Sequence, residues 1–170
     1  MKRALAILMA TSALGVMLPM TAGAATHRKA TKPVHKAQSS AAALKAAGSY
    51  YLAAVTPVNV AFTQLSKAAT ADGSSATAAE LATQAAPALA ALTTCDGKLA
   101  DYTWPKVAEA DIKALLADGG AVAGALQSVA GITALDASSW ETSFDQATQV
   151  LGNAANVVRH DLGLPPAPSD

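Results

Sequence analysis

The sequence predicts an all-α protein folded as an up-down-up-down four-helix bundle with kinked helices. Three observations carry this. Apolar residues make up 52% of the chain but aromatics only 4%, because alanine, the strongest helix former, supplies much of the apolar count. The β-branched and aromatic runs that build strands are missing. Finally, apolar residues recur at alternating steps of three and four along four segments separated by turn signals.

Before the first of these segments, Met1–Ala24 reads as a secretory signal peptide. Lys2 and Arg3 form its charged start, Ala4–Leu18 its apolar stretch, and Ala22-Gly23-Ala24 a small-x-small cleavage site. The expected product is therefore exported and begins after Ala24. No cysteine stands near that site to accept a lipid, and the apolar stretch is short for a membrane span, so no stable membrane anchor is expected. Residues 25–39 follow without apolar periodicity and read as a disordered basic linker.

The first helix is expected from a Ser39 or Ser40 cap to about Ala71, with Tyr51, Val55, Val58, Phe62, Leu65 and Ala69 on its inward stripe. Pro57 interrupts it, removing one intrahelical bond and crowding the Ala53 carbonyl. Asp72-Gly73 ends it, and Ser74–Ala76 make the loop. Thr77-Ala78-Ala79-Glu80 fits a capping box, in which threonine and glutamate reciprocally bond the first amides. The second stripe is Leu81, Ala85, Ala88, Leu92, Cys95, Leu99 and Tyr102. Its register carries the helix past Asp96-Gly97 and through a second interior proline, Pro87.

Trp104-Pro105 marks the next turn, with Pro105 suited to a first helical position. Ala108, Ile112, Leu115, Gly119, Val122, Leu126 and Val129 form the third stripe, with Gly119-Gly120 at its centre. Gly131 to Asp136 form a loop, and Ser138-Ser139-Trp140-Glu141 reads as another capping box. Trp140, Phe144, Ala147, Leu151, Ala154 and Val158 make the fourth stripe. Gly163 ends that helix, so the bundle occupies residues 40–163 and a proline-rich tail residues 164–170.

Counting from the turns at about 1.5 Å per residue places Pro57, Pro87, Gly119, Gly120 and Gly152 within about two turns of one mid-bundle layer. The aromatics avoid it: Phe62, Trp140 and Phe144 fall toward one end, Tyr50, Tyr51, Tyr102 and Trp104 toward the other. Small residues there either close the helices into a dry waist or, if the prolines splay them, leave a pocket for a small apolar ligand. The first outcome is the expected one.

Catalytic and metal chemistry find little to work with. No Glu-x-x-His occurs for a di-metal bundle, no C-x-x-C-H for haem, and the body offers only Cys95 and His160 as soft ligands. Cys95 falls on the inward stripe, where a thiol acts as a small apolar residue, and a nucleophilic pairing with His160 is a weak alternative. His160 sits at a helix C-terminus, where its charge suits the dipole. Asp96, Asp101, Glu109, Asp111 and Asp118 read as a solvated face. No catalytic residue, cofactor or metal site is expected.

Net charge is zero overall but segregated. Residues 25–39 carry Arg28, Lys29, Lys32 and Lys36 and no acid, whereas residues 40–170 carry six bases against twelve acids. The acidic body disfavours nucleic acid. The basic segment suits either a solvated spacer or contact with an anionic envelope surface.

Two stretches, Tyr51–Asn59 (YLAAVTPVN) and Val158–Pro166 (VRHDLGLPP), resemble small alanine-rich helical proteins exported by actinobacteria, some of them lipoproteins. The resemblance implies an exported helical domain and brings no catalytic residue. This chain lacks the cysteine that the lipoprotein members modify. The functional expectation is a non-enzymatic exported bundle serving as a binding or interaction module, with a carrier of a small apolar ligand as the alternative.

Overall fold

A computed structural model describes residues 35–72, 77–133 and 137–167. The expected signal peptide with its cleavage site, residues 25–34 of the expected linker, residues 73–76, residues 134–136 and residues 168–170 lie outside them. The chain forms α1 (His35–Asp72), α2 (Ala78–Asp101), α3 (Lys106–Ser128), a single 3-10 turn (Val129–Gly131) and α4 (Ala137–Asp161). Sequential helices pack as neighbours, α1 on α2, α2 on α3 and α3 on α4, giving an all-α four-helix bundle.

The core follows a repeat of about 3.5 residues. On α1, Ala47, Ala54 and Ala61 alternate with Tyr51, Val58 and Leu65, all buried. On α2 the buried set is Ala85, Ala88, Leu92, Cys95 and Leu99. All seven residues of the third stripe are buried, from Ala108 to Val129. On α4, Phe144 and Val158 are buried, while Trp140, Ala147, Leu151 and Ala154 pack against the core partly exposed.

The helix ends show where local chemistry suffices. Glu80 N–H donates to Thr77 Oγ1 at 3.3 Å and Thr77 N–H donates to Glu80 Oε2 at 2.8 Å, the reciprocal pair expected. Gly163 adopts φ 67°, with its N–H donating to His160 O at 3.0 Å and Leu164 N–H to Arg159 O at 2.8 Å. This pattern needs a left-handed residue just past the helix, which glycine supplies at least cost.

Three ends differ from expectation. First, α1 begins at His35, ahead of the Ser39 or Ser40 cap, so the segment expected to be disordered is helical over its last five residues. His35-Lys36-Ala37-Gln38 holds nothing that opposes a helix, and capping is one way to begin one, not a requirement. Second, Pro105 is the cap residue, not the first helical one, and its carbonyl accepts the amides of Ala108 at 2.9 Å and Glu109 at 3.1 Å. Third, α4 begins at Ala137, so Ser138 lies inside the helix and the capping box expected at Ser138–Glu141 does not form. The Ser138 and Ser139 carbonyls instead accept the Thr142 and Ser143 hydroxyls, each at 2.9 Å.

Aromatic clusters close both ends of the bundle. Tyr50 stacks on Tyr102 with ring centroids 4.1 Å apart, Trp104 packs against both, and the Tyr50 hydroxyl donates to Lys98 O at 3.0 Å. At the other end Trp140 stacks on Phe144 at 5.1 Å and its Nε1–H donates to Ala125 O at 2.9 Å. The first cluster marks the end where α1 enters the bundle and α4 leaves it; we call it the near end and the other the far end.

Candidate functional site

The mid-bundle layer divides into inward and outward parts. Gly119 is buried, Gly152 half-buried, and Pro57, Pro87 and Gly120 are exposed. The two prolines therefore do not line an interior space. Helix runs unbroken through both. The carbonyls that each proline leaves without an amide belong to Ala53 and Thr83, two exposed residues, so water can satisfy them. Between the helices at this level, Ala88 and Val122 have no accessible surface. A side chain with none touches no space large enough for a water, so nothing of that size opens beside these two.

Gly119 accommodates a close approach. A Cβ built on it would stand 3.1 and 3.2 Å from the two carboxylate oxygens of Asp96. Asp96, on α2, thus lies flat against the backbone of α3. Its partial burial there holds the carboxyl above the usual aspartate range.

Nearer the tyrosine cluster, the Tyr51 hydroxyl is buried within electrostatic reach of Arg159 and Cys95. Burial pushes the Tyr51 hydroxyl up to about 12, with the Arg159 charge opposing the shift and Cys95 adding to it. Cys95 is a free, buried thiol, as its stripe position predicts, and is pushed up to about 11 by burial and by Asp96, with Lys98 opposing. A thiol so shifted is protonated at neutral pH, the reverse of an activated nucleophile. His160, considered as its base, projects from the end of α4 with its side chain 89% exposed and its Nδ1 3.4 Å from Asp161 Oδ1. The structure does not bring the thiol and the imidazole into one protected site.

The acids expected to form a solvated face are divided. Asp101 and Glu109 are exposed, and Glu109 pairs with Lys113 at 2.9 Å. Asp96, Asp111 and Asp118 are half-buried. Asp111 hydrogen-bonds the Asp161 carboxyl across the α3–α4 interface, and that contact, before desolvation and like charge, raises it above the usual range. No spacing in the sequence signals a pair fifty residues apart. Toward the far end, Ser66 and Thr148 are buried polar residues, and Asp145 Oδ1 is buried without a hydrogen-bond partner. Asp145 is raised by burial and by the neighbouring Glu141.

The tail folds back. Leu164 packs against Gly48 of α1, Arg159 Nε–H donates to Pro165 O at 2.7 Å, and Ala167 N–H donates to Asn156 Oδ1 at 3.1 Å. Leu164 and Ala167 are thus held against the helices, with Pro165 and Pro166 exposed between them, where the sequence suggests only a proline-rich ending.

Among the described residues, no group of three or more His, Cys, Asp or Glu side chains is placed to hold a metal ion, and no helix is long and apolar enough to cross a membrane. No family model matches the chain, and neither a curated protein nor a solved structure matches it.

Proposed function

We propose that this chain is an exported, non-enzymatic helical bundle that acts as an interaction module in the cell envelope or extracellular space, engaging anionic polymer through its basic N-terminal segment. One observation carries the reading. α1 spans 38 residues against 24, 23 and 25 for the other helices, and the nine from His35 to Ala43 precede its first described residue packed on the core, Leu44, roughly 13 Å of helix. Where side chains of this extension are described, Ala41, Ala42 and Ala43 are exposed, whereas Leu44 packs against the core with Lys45 and Ala46 exposed beside it. In the sequence, Arg28, Lys29 and Lys32 precede α1 and Lys36 stands in its first turn, so four bases are grouped on the N-terminal side of the acidic body. That separation favours contact with a negative surface that the body itself would repel.

Retention of the mature chain on anionic envelope polymer tests this. The full mature chain should be held at low salt and released as salt rises, and a chain lacking residues 25–39 should pass through. Equal retention with and without that segment overturns the reading.

A further inference from the structure

The near end of the bundle holds a pairing of like groups. Asp161 is the last residue of α4, its side chain is 16% exposed, and it meets the Asp111 carboxyl of α3 in a hydrogen bond. Two carboxylates cannot make that bond, because neither has a donor; one of the two must carry a proton. Position adds to the mismatch. A helix presents partial negative charge at its C-terminus, so an ionised Asp161 is unfavourable there before Asp111 is counted.

The surrounding elements do not relieve it. On α3, Glu109 pairs with Lys113 at 2.9 Å, Lys106 acts on Glu109, and Asp118 is a further half-buried acid. On α4, the Arg159 charge acts on Tyr51 of α1 and its Nε–H bonds Pro165 O. Lys45 of α1 is exposed. So are Lys98 and Asp101 of α2, while Asp96 lies against Gly119. Among the described residues, only His160 comes within ion-pair distance of the two acids. Its Nδ1 is 3.4 Å from Asp161 Oδ1, on a side chain that is 89% exposed.

Asp161 also stands at the root of the tail. Leu162 is buried, the left-handed Gly163 sends Leu164 onto Gly48, and Arg159 and Asn156 hold Pro165 and Ala167. The last turn of α4 and the tail are therefore one continuous piece, tied to α3 through Asp161 and to α1 through Leu164.

We propose that this pair is a proton-operated latch: one proton shared by Asp111 and Asp161 holds the last turn of α4, and with it the tail, onto the bundle. When that proton leaves, two like charges face each other at the negative end of a helix. Separating the terminal turn from α3 relieves both effects and draws Leu164 off Gly48. Such an opening at a chain end needs less free energy than unfolding the whole. The sign follows from Asp111, which holds its proton more tightly docked than undocked. Docking is complete in the ordinary aspartate range, weakens as pH rises through the raised value, and carries the full loss above it. The two acids titrate as a unit, so the transition belongs to the pair.

The nuclear Overhauser effect between the Leu164 methyls and the Gly48 α-protons reads docking directly in the full mature chain. From about pH 4 to about pH 8, at fixed salt, it should weaken several-fold in one transition. Asp111→Asn keeps a donor for Asp161 at every pH and should hold the contact throughout; Asp161→Asn, which supplies the donor from the other side, should do the same. Asp96→Asn, at the α2–α3 contact, should leave the parental response in place, and so should His160→Gln. A contact equally strong, or absent, at both limits in the parent overturns the proposal. So does a response that persists in Asp111→Asn, or one that His160→Gln abolishes, since the imidazole would then be the titrating group. Loss of helicity across the whole chain in step with the contact also overturns it, because the fold and not the tail would be opening. The inference is independent of polymer retention, which rests on residues 25–39, so the two readings fail separately.

Discussion

Leu164 Cδ2 lies 3.1 Å from the point at which a Cβ on Gly48 would stand. The contact joins the end of the chain to the start of the bundle: Gly48 sits where α1 enters it, and Leu164 follows the left-handed Gly163 that ends α4. The Leu162 carbonyl is also close, at 3.6 Å from the same point. A helix-interior glycine costs about 1 kcal/mol relative to alanine, and here it admits the leucine. Gly48→Val should therefore destabilise the fold by about 1–3 kcal/mol through overpacking. Leu164→Ala should cost a similar amount by exposing the surface it covers. Because both changes act on one contact, the double variant should cost less than the two added together, which urea denaturation of the four chains measures. Additive losses would mean that the tail is not held by this contact.

Asp96 makes stability depend on pH in an unusual direction. Burial against α3 raises its carboxyl, so the native chain holds that proton more tightly than the unfolded chain does. Its contribution to stability falls as pH rises from the ordinary aspartate range through the raised native value, and the full loss is present above it. Asp111 and Asp145 are shifted the same way. Glu80 and Glu109, lowered by Thr77 and Lys113 respectively, act in the opposite sense and weaken the fold as pH falls. Asp96→Asn removes one contribution and leaves the others. Its Tm should exceed that of the parent near pH 7 and match it near pH 3, where the parent's Asp96 is protonated in both states. A lower Tm at neutral pH would show that the carboxylate makes a favourable contact there.

Cys95 should be inert while the protein is folded. It is 4% exposed, and with its pKa near 11 only about a thousandth is thiolate at pH 8. Alkylation by iodoacetamide should therefore follow unfolding, being very slow in buffer and fast in urea, with the two rates differing by orders of magnitude. Rapid labelling of a chain with native circular dichroism would place the thiol on an accessible surface.

The sequence by itself determined the elements and the inward faces, because both depend on interactions between residues three to seven apart. The stripe from Ala108 to Val129 is buried at every position named for it, Cys95 lies where its register puts it, and Thr77 and Glu80 cap α2 as a pair. The local signals also misplaced two starts, at Ser39–Ser40 and Ser138, since a serine before a helical run is competent to cap and equally competent to sit inside the first turn. The mid-bundle layer was legible in one coordinate only. Counting from turns yields height along the axis, and Pro57 and Pro87 can share a height with Gly119 while facing solvent, because height says nothing about direction around the helix. Direction was already in the stripes, one residue away at Val58 and Ala88. What only the tertiary structure decided are the meetings between distant residues: Asp96 on Gly119, Asp111 with Asp161, and Leu164 on Gly48. Each depends on the rotation and offset of one helix against another. Those are set by packing of whole faces, to which no single spacing in the chain corresponds.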